Sequence, residues 1–139
     1  MITTAAFLRG GWKRKIRSEQ VTHMTTFVSK ATDSNIIDDS QVRVLSSPAD
    51  GGEIVDPTIC FKDGEMDVLI LEAKHIAKLA ANGARVLVVC RGGKNRSAFL
   101  AHLAKAHLDE AGLRSVAFDA NLPVCDMLKK LLLSYRPKE

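Results

Sequence analysis

A chain of 139 residues is enough for one domain with its own core and short for two. Hydrophobic content of 46% beside 26% charged residues is ordinary for a globular domain, and no apolar run approaches the roughly 20 residues of a membrane span. The net charge of +4 is uneven: residues 1–32 hold six basic side chains against Glu19 alone, whereas the remainder holds 14 basic and 15 acidic. Three cysteines, Cys60, Cys90 and Cys125, lack the even count and spacing of a disulfide framework, and no Cys/His spacing resembles a zinc site. Met1–Leu8 is too short for the apolar region of a signal peptide, and basic residues follow it instead of preceding it. A reducing cytoplasm is the expected setting.

Residues 1–20 show no firm period, and Gly10-Gly11 interrupts any helix early. They read as a basic N-terminal arm, carrying Arg9, Lys13, Arg14, Lys15 and Arg17, ahead of a folded unit over residues 21–139. Such an arm is a candidate contact for nucleic acid or an anionic surface, with a solvated terminal segment as the plainer reading. Trp12 would anchor it to the core. Residues 21–30 alternate loosely and favour β-branched side chains, which predicts a strand; Gln41–Ser46 and Thr58–Phe61 predict two more. Pro48-Ala-Asp-Gly-Gly52 between them is a strong turn signal.

From Val68 to Ala81 the apolar residues Leu69, Ile70, Ala73, Ile76, Ala77 and Ala80 fall at helical spacing, closed by Asn82-Gly83. Arg85–Cys90 reads as a buried strand, since a continuous Val/Leu run suits a strand covered on both faces. A loop with two glycines follows, then a helix over about 96–111 that stops at Gly112. Ser115–Ala120 predicts a further strand, and Asn121 with Pro123 a last helix start. Strands alternating with helices give an α/β single domain, with a mostly parallel sheet of four to five strands flanked by helices.

The strand, glycine loop and helix start around Cys90 form a ready anion site, because first-turn N–H groups lack internal partners. Cys90-Arg-Gly-Gly-Lys-Asn-Arg96-Ser97, preceded by Val-Leu-Val-Val, resembles the C-x5-R-[ST] phosphate loop of cysteine-dependent protein phosphatases, and most of all small dual-specificity-type tyrosine phosphatases. The resemblance covers roughly residues 60–110 and implies a phosphatase fold and hydrolysis of phosphate monoesters through a phosphocysteine, with no cofactor. Its partner would be a phosphorylated protein or another phosphomonoester.

The resemblance implies Cys90 as nucleophile, its thiolate favoured by the helix start, the loop amides and Arg96. Arg91, Gly92, Gly93, Lys94, Asn95 and Arg96 would cradle the phosphoryl oxygens, with Arg96 supplying a planar fork of donors. Asn95 suits bracing of the loop, and Ser97 would stabilise the sulfur as it leaves. The general acid is an Asp on an earlier loop: Asp63 comes first by position, then Asp56 and Asp50. Cys60 and Cys125 read as packing residues, and His75, His102 and His107 as partly buried or solvated helix residues.

Two departures stand out. Val89 occupies the position where the family usually has His, which leaves open a weakened enzyme or a phosphate-binding module without turnover. A strand after the loop helix is more like the low-molecular-weight phosphatases, although those place the loop near the N-terminus. A rhodanese-like sulfurtransferase using the same thiolate loop is the third reading.

Overall fold

The computed structural model describes residues 1–45 and 65–137. Five strands form one all-parallel sheet: β1 (Ile2–Ala6), β2 (His23–Thr26), β3 (Val42–Val44), β4 (Val86–Cys90) and β5 (Phe118–Asp119), in the order β3-β2-β4-β1-β5. Among the described residues four α-helices cover it: α1 (Gly11–Ser18), α2 (Glu65–Ala81), α3 (Arg96–Glu110) and α4 (Asp126–Ser134). The expected α/β single domain with a parallel sheet is the observed one. Among the described residues no helix is long and apolar enough to cross a membrane.

β4 is the middle strand, and all five of its residues are buried, as its unbroken apolar run requires. Its side chains alternate between two cores. Val86, Val88 and Cys90 join Leu69, Ala73 and Ile76 of α2 and Phe99, Leu100 and Leu103 of α3. Leu87 and Val89 point the other way, to Trp12 and Ile16 of α1 and to Met24 of β2. α1 therefore lies on one face of the sheet and α2 and α3 on the other.

The basic arm expected over residues 1–20 is instead part of the fold. Residues 2–6 are β1, paired along their whole length with β4 in the register Ile2–Val86 to Ala6–Cys90. Thr3, fully buried, accepts a 2.8 Å hydrogen bond from Lys15 Nζ, which also reaches Asp119 Oδ2 at 3.4 Å. Some of the basic excess is thus used inside the structure, bracing α1 against β1 and β5. Trp12, only 2% exposed, anchors α1, as a lone Trp beside a core tends to.

The other expectations differ mainly in length. The strand expected over 21–30 is confined to His23–Thr26, after which Thr26 Oγ1 caps a turn by accepting from Val28 N–H at 2.9 Å. Ser115–Ala120 shortens to the two residues of β5, and the last helix starts at Asp126, beyond Pro123. The expected strand Thr58–Phe61, the turn at 48–52 and Cys60 lie outside the described residues.

One buried polar group has no sequence signal. Glu72 of α2 is 2% exposed and replaces Ile70 on the inward helix stripe. Its carboxylate accepts from Thr25 Oγ1 at 2.7 Å and from Arg43 Nε at 2.6 Å, tying α2 to β2 and β3. A buried carboxylate is tolerable only with such partners, and these are 47 and 29 residues away in the chain.

Candidate functional site

Open parallel sheets bind ligands outside the carboxyl ends of their strands, where neighbouring strands send their helices to opposite faces. That point lies here between β1, which leads to α1, and β4, which leads to α3. The loop from Cys90 to Arg96 sits on it.

The loop turns sharply because Gly93 takes φ 69° and lies flat against β1. A Cβ on Gly93 would stand 2.9 Å from Ala6 N and 3.1 Å from Ala5 C, so a side chain is excluded by backbone and by conformation together. This turn aims the Gly93 N–H at Cys90 Sγ, 3.2 Å away. From the other side the Cys90 thiol donates to Ser97 Oγ at 3.2 Å. On ionisation that contact reverses and the Ser97 hydroxyl donates to sulfur, so the sulfur's charge would meet two donors. Cys90 is 3% exposed, Ser97 is fully buried and Arg96 is 2% exposed, whereas Arg91, Gly92 and Lys94 form an exposed rim.

Three distant segments hold the loop. Beyond β1, Phe7 N–H donates to Cys90 O at 2.9 Å and Leu8 N–H to Arg91 O at 3.1 Å. Beyond β2, Phe27 N–H donates to Val89 O at 2.9 Å, and its ring lies 5.6 Å from the Arg96 guanidinium, a cation–π contact that fixes the planar group. The chain before α4 closes the third side: Val124 N–H donates to Lys94 O at 3.2 Å, and Cys125 N–H to Asn95 Oδ1 at 2.8 Å. Asn95 thus has its side chain turned to the protein, while its carbonyl accepts from Phe99 N–H in the first turn of α3.

The connection before α4 is itself tied to α3. His102 Nε2 lies 3.3 Å from Ala120 O and 3.2 Å from Asn121 O, and its ring meets Phe118 edge-on at 4.9 Å. With carbonyls on that nitrogen the neutral ring carries its proton at Nε2. Loss of solvent holds His102 below its ordinary histidine range, outweighing those carbonyls.

The structure therefore brings Cys90, Gly93, Asn95, Arg96 and Ser97 together, with Arg91, Gly92 and Lys94 at the mouth. The three candidate acids, Asp63, Asp56 and Asp50, lie outside the described residues. Val89 is fully buried among Trp12, Ile16 and Met24, an apolar setting that suits valine and would strand an imidazole. Cys125 is half-buried against the main core. Sequence reasoning gave no site role to Ala5, Ala6, Phe7, Phe27, Val124 or Cys125. The small pair Ala5-Ala6, which permits the approach of Gly93, is the one such signal the sequence holds.

The chain matches no model of a known protein family and no curated protein.

Proposed function

We propose that the chain is a cysteine-dependent phosphatase of the dual-specificity or tyrosine type, hydrolysing phosphate monoesters through a phosphocysteine at Cys90. The observation that carries this reading is the pair of 3.2 Å contacts converging on Cys90 Sγ, from the Gly93 amide and the Ser97 hydroxyl, in a loop that also carries buried Arg96. A thiol that was merely packing would have no need of two polar partners and a guanidinium in one turn of chain.

In the first step the Cys90 thiolate attacks phosphorus, and the bond from phosphorus to the leaving oxygen breaks. That oxygen takes a proton from a carboxylic acid, for which Asp63 stands first, then Asp56 and Asp50. Arg96 would pair with the equatorial oxygens, where charge spreads in phosphoryl transfer. In the second step water attacks phosphorus, its proton returns to the carboxylate left by the first step, and the sulfur–phosphorus bond breaks. The departing thiolate is received by Ser97 O–H and Gly93 N–H, and inorganic phosphate leaves. These steps call on no metal or organic cofactor.

Hydrolysis of an aryl phosphate under reducing conditions tests the reading, with vanadate as inhibitor. Cys90→Ser should lower turnover by about a thousandfold or more, since the thiolate is the nucleophile. Asp63→Asn should lower it sharply, and an indifferent Asp63→Asn would move the acid to Asp56 or Asp50. Folded wild-type protein that leaves the aryl phosphate intact would defeat the proposal. Buried Val89, in place of the family's His, favours a second reading: a phosphate binder without turnover. It predicts vanadate binding to the folded protein with no product formed.

A further inference from the structure

The crevice that holds the phosphate loop has a second wall, and that wall is basic. It is the turn from β1 to α1, whose Leu8 N–H is bonded to Arg91 O of the loop at 3.1 Å. The next residue, Arg9, takes φ 62° and ψ 14°, in the left-handed region that long side chains enter at a cost. Glycine would enter it freely, and two glycines follow at positions 10 and 11. The chain thus keeps a guanidinium at a position whose backbone favours glycine, beside the mouth of the site. Arg14 folds back on the same turn and donates from Nη1 to Arg9 O at 3.2 Å. Both side chains are exposed, and the ion pairs among the described residues involve neither of them. Across the crevice stand exposed Arg91 and Lys94. Exposed cations on the β1–α1 turn, next to the loop, favour more than one negative group on the same ligand.

We infer that Arg9 and Arg14 form a second anion subsite, which takes a further phosphate on a substrate whose first phosphate enters the loop. This deepens the phosphatase reading and rests on it for the first phosphate. The shared chemistry is a phosphomonoester with a neighbouring phosphate, whether on a nucleotide chain or on a lipid headgroup.

Steady-state kinetics on adenosine 5′-monophosphate and adenosine 3′,5′-bisphosphate provide the test, with p-nitrophenyl phosphate as the single-phosphate control. Wild type should show a KM about tenfold lower for the bisphosphate, the scale of one charge-assisted contact. Arg9→Gly and Arg14→Gln should each erase most of that preference while moving the p-nitrophenyl phosphate values by less than about twofold. Arg9→Gly relieves the left-handed strain, so its thermal midpoint should not fall and misfolding cannot explain the loss. Equal KM values in wild type, or a preference kept by both variants, would overturn the subsite. If wild type turns over no substrate, the phosphatase reading fails by itself. Calorimetric binding of the two nucleotides to wild type and Arg9→Gly then decides: an Arg9-dependent preference upholds the subsite, and none overturns it. Arms with a 5′-phosphorylated oligonucleotide and with phosphatidylcholine vesicles carrying a phosphoinositide bisphosphate separate the two sources, Arg9 dependence in either counting for the subsite.

Discussion

The carboxyl edge of the sheet carries the same three residues twice, Arg9-Gly10-Gly11 after β1 and Arg91-Gly92-Gly93 after β4. The two strands are neighbours with Ala6 opposite Cys90, so the two turns face one crevice from its two sides. They are built differently. After β4 the left-handed residue is Gly93, pressed on the β1 backbone at a distance no Cβ could occupy. After β1 the left-handed residues are Arg9 and Gly10, and nothing lies within 4 Å of a Cβ placed on Gly10. One turn is shaped by close packing and has its amide directed at a sulfur. The other has open space and presents charge. Identical tripeptides thus acquire different work from what surrounds them: a tight turn needs the neighbouring strand to be small, and an open one lets the side chain decide.

The largest effect expected from breaking this comparison comes from the anchor of the second turn. Trp12 sits at the start of α1 and packs with Ile16, Met24, Ala31, Ile37, Leu87 and Val89, with Phe7 stacked at 6.3 Å. Trp12→Ala should cost about 3–5 kcal/mol in urea denaturation, the range for a fully buried large aromatic. A loss under about 0.5 kcal/mol, the size of a surface change, would return residues 1–20 to the status of an arm and remove one wall of the crevice.

Next in size is the contrast between the glycines. Gly93→Ala must both strain φ 69° and push a methyl into Ala5 and Ala6, so about 2–4 kcal/mol is expected, with aryl phosphate hydrolysis down about a hundredfold or more. Gly10→Ala carries the conformational strain alone, about 1 kcal/mol, and should leave that hydrolysis within about twofold. Equal damage from the two substitutions, measured side by side as denaturation midpoint and turnover, would show that the turns are not built differently.

How much of this was legible in the sequence follows from the range of each signal. β4, α2 and α3 were readable because burial on both faces, or a helical stripe, is a local pattern repeated over many residues. The loop was readable for the same reason, since Cys90, Gly93, Asn95, Arg96 and Ser97 lie within eight consecutive positions. β1 was not. Ile-Thr-Thr-Ala-Ala has little of the branched apolar run expected of an inner strand, and its buried Thr3 is satisfied by Lys15, a residue that read as part of a solvated arm. Glu72 was hidden likewise, because its partners Thr25 and Arg43 meet it only once the sheet has formed. The supports of the loop share that property: Phe7, Phe27, Val124 and Cys125 reach it from three separate segments.

The smallest effect concerns the support that only one turn possesses. The phosphate loop is braced through Val124 and Cys125, and the connection they end is held by His102 against Ala120 O and Asn121 O. The hydrogen bonds of that histidine run to Ala120 O and Asn121 O and not to the β1–α1 turn. Burial keeps the proton affinity of folded His102 below its ordinary value of 6.5, while the unfolded chain titrates near that value. Between the two, the unfolded state holds more protons, so stability rises with pH across that window and is lost as pH falls below about 6.5. His107 adds to the same slope, because burial, with Lys74 as the lesser cause, also holds it low, beside Tyr135 Oη at 2.6 Å. Denaturation midpoints taken from pH 7.5 to 5.5 should therefore fall for wild type and fall less for His102→Gln, whose amide can still donate to the two carbonyls. If His102 is the brace of the loop and not of the whole edge, acid should weaken turnover of p-nitrophenyl phosphate before it alters the fluorescence of Trp12, which reports the other wall. A slope unchanged in His102→Gln would assign the acid sensitivity elsewhere. Simultaneous loss of both signals would mean that the two turns, though built differently, yield as one unit.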